Sequence, residues 1–289
     1  MLRRLTPYLY ALPGLLLLIV ILTYPIGRGF YLSFFKYNLS SFGPPSYIGT
    51  QNYKRLFDDP LFVKAFEHTI TFVVVSISVE FILGLMFALL LQLDFVGRNL
   101  LRGISLLPWM MPPVVTAFVW AWLFNGTYGI VNYILGESGL VSKPIEWFSS
   151  TALALPTLIF VDVWQSTPFV MLVLLAGLQN IPESLYEAAR IDGANAIRSF
   201  WYITLPLLRP AAAVALLMRT MIALRFFDAV WIITRGGPAS STEVLATYAY
   251  KKSMLGFRMG YGSAATTIIF LLAFVMSVGY IRLILRRET

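Results

Sequence analysis

Long runs of uncharged or nearly uncharged apolar residues recur along this chain, and each is long enough to cross a lipid bilayer. A helix needs about 20 apolar residues to cross the hydrocarbon core. The runs that reach this length are 5–27, 69–93, 103–136, 151–179, 207–234 and 259–281. The run 103–136 is long enough for one span plus an interfacial tail. The run 207–234 is the exception in charge, since it carries Arg209, Arg219, Arg225 and Asp228. None of the runs alternates with the period of two that a transmembrane β-barrel strand shows. We therefore expect an all-α integral membrane protein with six transmembrane helices.

The composition excludes the common soluble classes. Of the 289 residues, 58% are hydrophobic and 12% are charged, and the mean hydropathy is +0.75. Soluble domains carry about 25% charged residues, so this chain has too little polar surface to dissolve. This excludes a soluble enzyme, a disordered chain and a nucleic-acid partner, because the net charge of +8 is explained by basic cytoplasmic ends of spanning helices. The absence of cysteine excludes disulfides and thiolate metal sites.

Lysine and arginine in the short connections predict the orientation. Cytoplasmic loops are enriched in these residues, and the loops 36–67, 126–151 and 235–258 are less densely basic than the alternate set. The residues that carry most weight are Arg3, Arg4, Arg98, Arg102, Arg286 and Arg287. We expect a multi-pass protein of the plasma or inner membrane with both termini in the cytoplasm.

The N-terminus resembles a secretory signal peptide, because two arginines precede an apolar run. No small-x-small cleavage site follows that run, which meets Thr23-Tyr24-Pro25 instead. An uncleaved first helix is therefore the favoured interpretation.

The connection at residues 180–210 carries more local signals than a simple loop between two spans needs. Asn180 is a candidate N-cap, and Pro182 suits a first helical turn, where its missing N–H costs nothing. Gly193 is placed to end that helix in the left-handed conformation, which glycine adopts without steric cost. These signals predict a short helix that ends at a glycine turn.

A second amphipathic stretch, Ala194 to Tyr202, follows the glycine. Leu205-Pro206 is then expected to turn the chain back toward the membrane. Small residues dominate one side of the segment and permit the close approach of another surface. The segment is therefore predicted to be a preformed pair of helices on the cytoplasmic face.

Acidic side chains on this segment bear on what it contacts. One alternative is an interfacial helix lying on lipid headgroups. Glu183, Glu187 and Asp192 oppose that alternative, because the cytoplasmic leaflet is itself negative. A protein partner is favoured, with Glu187 and Arg190 available to pair with its charges.

Three motifs resemble the permeases of ATP-binding-cassette importers. Glu187-Ala188-Ala189, then Gly193, then Leu205-Pro206 match the "EAA" loop of that family at its spacing. The segment RFFDAVWIITRGGP at 225–238 looks like the fifth-helix region of the carbohydrate permeases of the maltose and glycerol-phosphate type. The pattern YIGTQNYKRLF at 47–57 is similar to the first permease of such pairs.

This resemblance implies a type I importer permease fold. It would comprise an N-terminal helix and external loop at 1–66 and a permease core at 67–285, with the coupling loop at 180–206. In the family, that loop docks on the ATPase and transmits its closure. The resemblance implies that the ATPase-coupling residues are Glu187, Ala188, Ala189, Arg190, Asp192, Gly193, Leu205 and Pro206. The implied partners are a second permease subunit, two ATP-binding subunits, an extracytoplasmic binding protein, a sugar substrate and membrane lipid.

The chain lacks the sequence motifs of an enzyme. It has no GxxxxGK[ST] phosphate loop, so ATP and Mg²⁺ are expected on partner subunits and no cofactor on this chain. His68 has no HExxH or Cys partner, so an interfacial or hydrogen-bonded role is favoured over a metal site. Two alternatives stay open: an ion-coupled carrier or channel, which the EAA loop opposes, and an importer of amino acids, phosphate or metal, which the segment 225–238 opposes.

Charged residues inside the apolar runs are candidates for a translocation path, since such residues usually face a bundle interior and pair with one another. They are Arg28, Glu80, Asp162, Arg219, Arg225 and Asp228. Arg225 and Asp228 are three residues apart, which predicts a pair on one helix face. The candidate path residues are Trp120, Trp122, Asp162, Trp164, Arg225 and Asp228. The alternatives are an interfacial tryptophan belt and a structural ion pair.

Gly84 and Ala88 form a small-xxx-small face for close helix packing.

Overall fold

The computed structural model describes residues 10, 12–41 and 43–285. The start of the candidate signal peptide at Met1–Arg4 and the basic residues Arg286 and Arg287 lie outside this range. The chain forms two compact units, Met1–Val63 with Tyr248–Leu271 and Lys64–Thr247 with Leu272–Thr289. The boundary expected near residue 66 stays a prediction.

Helices dominate the described residues, with one two-stranded antiparallel pair, β1 (Phe35–Lys36) and β2 (Ser46–Tyr47). The helices, in chain order, are α1 (Leu12–Leu32), α2 (Gln51–Phe57), α3 (Pro60–Gln92), α4 (Arg98–Met110), α5 (Pro113–Leu123), α6 (Ile130–Glu137), α7 (Ala154–Gln179), α8 (Glu183–Ile191), α9 (Ala196–Ala223), α10 (Leu245–Tyr250) and α11 (Met259–Leu285). Short π-helical turns occupy Ile19–Thr23, Phe200–Thr204, Val230–Thr234 and Lys251–Leu255.

Five of these helices are long and apolar enough to cross a membrane, and the number is six if α4 and α5 together form one bent span. The five are α1, α3, α7, α9 and α11. The all-α fold and the multi-pass architecture agree with the expectation from the apolar runs.

The third predicted span, in the run 103–136, differs from the structure in position and shape, because the bent pair α4 and α5 occupies Arg98–Leu123. The chain bends by 93° between α4 and α5, and the helix then ends at Leu123. Pro112 and Pro113 cause the break, because neither has an N–H to donate and each restricts the residue before it to extended backbone. Met111 accordingly has a ψ of 135°.

The fifth predicted span, 207–234, is also misplaced. Helix α9 begins at Ala196 and ends at Ala223, so the predicted second amphipathic helix is the first part of the span. Leu205-Pro206 does not turn the chain. The π-helical turn at Phe200–Thr204 ends one residue short of Pro206, where the regular hydrogen-bond ladder loses a donor.

Small residues allow α7 to pack closely against its two neighbours. A Cβ at Gly177 would overlap the Ala211 Cβ of α9, and a Cβ at Gly84 of α3 would lie 2.8 Å from Val170 Cγ1. Ala88, one turn after Gly84, is fully buried. The predicted small-residue face of α3 therefore packs against α7.

In the unit that contains Met1–Val63 and Tyr248–Leu271, a polar cluster forms around Asp59. Its Oδ2 accepts hydrogen bonds from Tyr248 Oη at 2.6 Å and Lys252 Nζ at 3.0 Å. Burial alone would raise the pKa of Asp59, but the bonds from Tyr248, Lys252 and the Leu61 N–H more than offset it and hold the pKa below its usual value. The cluster thus joins the residues before α3 to those of α10 and the turn after it.

Candidate functional site

The coupling segment, residues 180–206, contains helix α8. This helix starts after Pro182, whose extended backbone precedes Glu183. Asn180 is not its N-cap, because the Asn180 N–H bonds to Gly177 O and the residue ends α7 instead. Only the three residues 180–182 separate α7 from α8, so the coupling helix follows the span closely.

Gly193 ends α8 in the left-handed conformation, as predicted, with a φ of +78°. The Ala194 N–H donates to Ala189 O at 2.8 Å, and the Gly193 N–H donates to Arg190 O at 3.1 Å. These two bonds form the Schellman pattern of helix ends. A Cβ at Gly193 would meet no atom within 4 Å, so only the backbone conformation demands glycine here.

A tyrosine hydrogen bond ties α8 to the base of α9. Tyr186 Oη lies 2.9 Å from Thr204 Oγ1, and Thr204 is buried. The sequence did not predict this contact, because a tyrosine in one helix carries no signal for a threonine in the next. Asn195 Oδ1 accepts the Arg198 N–H at 2.9 Å and caps α9.

Much of the coupling segment is exposed to solvent. Glu187, Ala188 and Arg190 are exposed, and Ile191 exposes 88% of its surface. Of the eight predicted coupling residues, Leu205 and Pro206 lie within α9 and are half-buried. The other six lie on α8 and its glycine turn: Glu187, Ala188, Ala189, Arg190, Asp192 and Gly193. Charged groups beside exposed apolar ones are typical of a surface that binds another protein.

Further along α9, a buried ion triad joins three spans. Arg219 of α9 donates from Nε to Glu80 Oε2 at 2.5 Å and from Nη2 to Glu80 Oε1 at 2.7 Å. The same Nη2 donates to Asp162 Oδ2 of α7 at 2.8 Å. The three side chains are between 0% and 9% exposed. Such a triad needs all its partners, since removing one partner of a buried ion pair costs about 3–5 kcal/mol.

A cavity of about 190 Å³ lies beside this triad. Its polar lining residues are Asp162, Gln165, Ser166, Arg219, Arg225 and Asp228. Its aromatic lining residues are Trp109, Phe169, Phe226 and Phe227. Three of the six predicted path residues, Asp162, Arg225 and Asp228, therefore line one cavity. The combination of hydrogen-bonding groups with ring faces is typical of a small-molecule site.

The three predicted path tryptophans do not line this cavity. Trp120 of α5 packs edge-on against Trp164 of α7, with ring centroids 5.2 Å apart, and also contacts Phe124 and Phe160. Trp122 is 58% exposed. Trp120 and Trp164 thus hold α5 against α7, and a contact with a substrate stays a prediction for them.

The predicted pair of Arg225 with Asp228 is absent from the ion pairs of the described residues. Helix α9 ends at Ala223, so the two residues do not share a helix face and the three-residue rule does not apply. Arg225 Nε instead donates to Met221 O at 3.3 Å. His68 Nδ1 lies 3.1 Å from Glu243 O, in keeping with the hydrogen-bonded role favoured from the sequence.

Known permeases resemble this chain along nearly its whole length. It is 39% identical over 285 residues to the sulfoquinovosyl glycerol transport system permease protein SmoG of Agrobacterium fabrum, covering 99% of this chain and 92% of that one. It is 38% identical over 275 residues to the trehalose/maltose transport system permease protein MalF of Thermococcus litoralis, covering 95% and 92%.

A solved structure shares the fold. A chain in the crystal structure of a bacterial ABC transporter involved in the import of the acidic polysaccharide alginate superposes with a TM-score of 0.85 at 24% identity, covering 99% of this chain and 97% of that one. Residues 80–288 match the family described as the binding-protein-dependent transport system inner membrane component. The chain belongs to this family, and it is a multi-pass membrane permease of the ATP-binding-cassette importers.

Proposed function

We propose that this chain is the permease subunit of an importer for a sugar or sugar derivative. A second permease completes the translocation path, two ATP-binding subunits hydrolyse ATP with Mg²⁺, and an extracytoplasmic binding protein delivers the substrate. The names of the relatives support the substrate class, since they are permeases for trehalose, maltose and sulfoquinovosyl glycerol. A TM-score of 0.81 to the alginate transporter solved with its binding protein supports the same kind of assembly.

The observation that carries the proposal is the exposed helix α8, which is connected to one membrane helix at its start and bonded to another at its middle. Its start follows α7 almost directly, and its middle is bonded to α9 through Tyr186 and Thr204. A partner that pushes on α8 therefore displaces two spans together. ATPase closure would shift the equilibrium between inward-open and outward-open states by the difference in its affinity for the two.

The cavity beside the ion triad supplies a place for the substrate. A sugar leaves water only if its hydroxyls find new partners, since a buried unpaired hydroxyl costs about 1–3 kcal/mol. The carboxylates, guanidinium groups and amide of this cavity offer both donors and acceptors. The aromatic rings offer apolar faces for the C–H side of a sugar ring.

The test uses the assembled importer with its binding protein in lipid. Gly193→Val should nearly abolish ATP hydrolysis stimulated by the loaded binding protein, because a β-branched residue resists the left-handed conformation and would tilt α8. Gly139→Val is the matched control. Gly139 has a φ of +71°, a Cβ there would meet no atom within 4 Å, and the residue lies outside the coupling segment.

Normal coupling in Gly193→Val, or an equal loss in Gly139→Val, would contradict the docking role. Failure of the assembled wild-type importer to accumulate any saccharide would contradict the substrate class. The two results are separable, because the first measures ATP hydrolysis and the second measures uptake.

A further inference from the structure

The guanidinium of Arg219 is only partly used by the ion triad. Nε and Nη2 donate to Glu80 and Asp162, whereas Nη1 has no hydrogen-bond partner among the described residues. Arg219 is 2% exposed and lines the cavity. A guanidinium carries five N–H donors, so two of them remain for a ligand.

Asp162, on the same wall of the cavity, has one carboxylate oxygen that can still accept a hydrogen bond. Its Oδ2 accepts from Arg219, while its Oδ1 has only the Ser166 Oγ at 3.4 Å, which is a weak contact. Asp162 also lines the cavity. A charged donor and a charged acceptor therefore lie side by side, and a pair of adjacent sugar hydroxyls offers the complementary acceptor and donor.

Glu80 has a different place in the triad. It is fully buried, and it does not line the cavity. Both of its carboxylate oxygens accept from Arg219, which is the bidentate geometry that fixes the plane of a guanidinium. Without this partner, the guanidinium would be free to rotate about its last torsions and to close on Asp162.

We propose that Glu80 is a positioning residue for substrate recognition. It holds Arg219 so that Nη1 and the neighbouring Asp162 Oδ1 meet adjacent hydroxyls of a saccharide in the cavity. This role rests on the proposed function, because it assumes that the cavity is part of the sugar path. A residue that touches no substrate thereby determines how well the path accepts one.

The test compares uptake with ATP hydrolysis in the assembled importer. Radiolabelled trehalose, maltose and sulfoquinovosyl glycerol are offered to the wild-type importer. The probe is whichever of these compounds it accumulates. Glu80→Gln should lower the amount of assembled complex, because it removes a charged partner of the buried triad. In the complex that does assemble, it should lower the sugar imported per ATP hydrolysed about tenfold, while ATP hydrolysis per assembled complex, stimulated by the binding protein, stays near the wild-type rate. Glu80→Asp keeps the carboxylate and should recover part of the ratio.

Glu243→Gln is the matched control, since Glu243 is, like Glu80, buried and not part of the cavity lining, but it does not belong to the ion triad. It should alter uptake and ATP hydrolysis only in proportion to the amount of assembled complex. If Glu80→Gln behaves in the same way, Glu80 is merely structural and the proposal is overturned.

A second variant protects the test against misfolding of Glu80→Gln. Asp162→Asn leaves the bidentate pair of Glu80 with Arg219 intact, and it should also lower the sugar imported per ATP. An unchanged ratio in Asp162→Asn overturns the proposal. A wild-type importer that accumulates no saccharide, these three included, overturns the proposed function together with this inference, whereas normal wild-type uptake with insensitive variants overturns the inference alone.

Discussion

The coupling segment and the ion triad lie in one compact unit, and both depend on charged residues, but they are built in opposite ways. The bonds that shape α8 and its glycine turn join residues at most five positions apart, and the charges there are exposed. The triad joins residues 139 and 57 positions apart, and its charges are buried. Removing a charge from the exposed site should therefore impair function before stability, whereas removing one from the buried site should reduce stability first.

The largest expected effect follows from removing the cation of the triad. Arg219→Leu would leave two buried carboxylates without a partner, and we expect a loss of about 3–5 kcal/mol in stability. Arg190→Leu, on the exposed helix α8, should change stability by less than about 0.5 kcal/mol. Thermal unfolding of the assembled complex in detergent measures both. Equal melting temperatures for the two variants would contradict the claim that the buried charge matters more for stability than the exposed one.

A smaller effect is expected at the hydrogen bond between α8 and α9. Tyr186→Phe removes only the hydroxyl that contacts Thr204, and we expect about 1 kcal/mol of lost stability. The same change should weaken the transmission of ATPase closure to α9. The measurement is ATP hydrolysis against uptake in the reconstituted importer, with Tyr133→Phe, an exposed tyrosine of α6, as the control. Full coupling in Tyr186→Phe would show that this contact carries no movement.

The ion pair of the Asp59 cluster is intermediate in exposure between the charges of α8 and those of the triad. The side chains of Asp59 and Lys252 are 22% and 27% exposed. Since the pKa of Asp59 is lowered in the folded state, its contribution to stability is present above its ordinary pKa of 3.8 and is lost as the pH falls through the folded value. Asp59→Asn should therefore lower stability at pH 7 and flatten its acid dependence. A variant with the wild-type acid profile would contradict this.

Cysteine labelling perturbs the fold least and tests where the coupling segment lies. The native chain has no cysteine, so a single one can be introduced at Ser41 or at the exposed Ile197. We expect Ser41→Cys to react with an impermeant maleimide from outside the cell and Ile197→Cys to react only after the membrane is opened. Reaction of both from the same side would exclude the proposed orientation, with the termini in the cytoplasm.

Local signals explain why much of the coupling segment was predictable. Pro182 fixes the backbone before α8, and Gly193 permits the left-handed conformation after it, so the ends of α8 follow from the residues themselves. The bend between α4 and α5 had an equally local cause in Pro112 and Pro113. The end of α9 at Ala223 had none, since no glycine or proline stands between it and Phe227.

The partners in the triad were not predictable in this way. The rule that charges inside a membrane pair with one another indicated that Glu80, Asp162 and Arg219 would find partners. Which partners they find depends on how three helices pack, and that is set by small residues such as Gly84 and Gly177. The only pairing that sequence spacing proposed, Arg225 with Asp228, was the wrong one.

The length of α3 gives the ion triad a mechanical consequence. With 33 residues at about 1.5 Å each, the helix is about 50 Å long, whereas the hydrocarbon core is about 30 Å thick. At this rise, Lys64 stands about 24 Å along the axis from Glu80, where the triad joins the helix to α7 and α9. A tilt of about 10° around that fulcrum swings the backbone at Lys64 sideways by about 4 Å. A rotation of α3 about the triad would therefore displace its N-terminal part by several ångströms, together with the Glu243 backbone that His68 contacts.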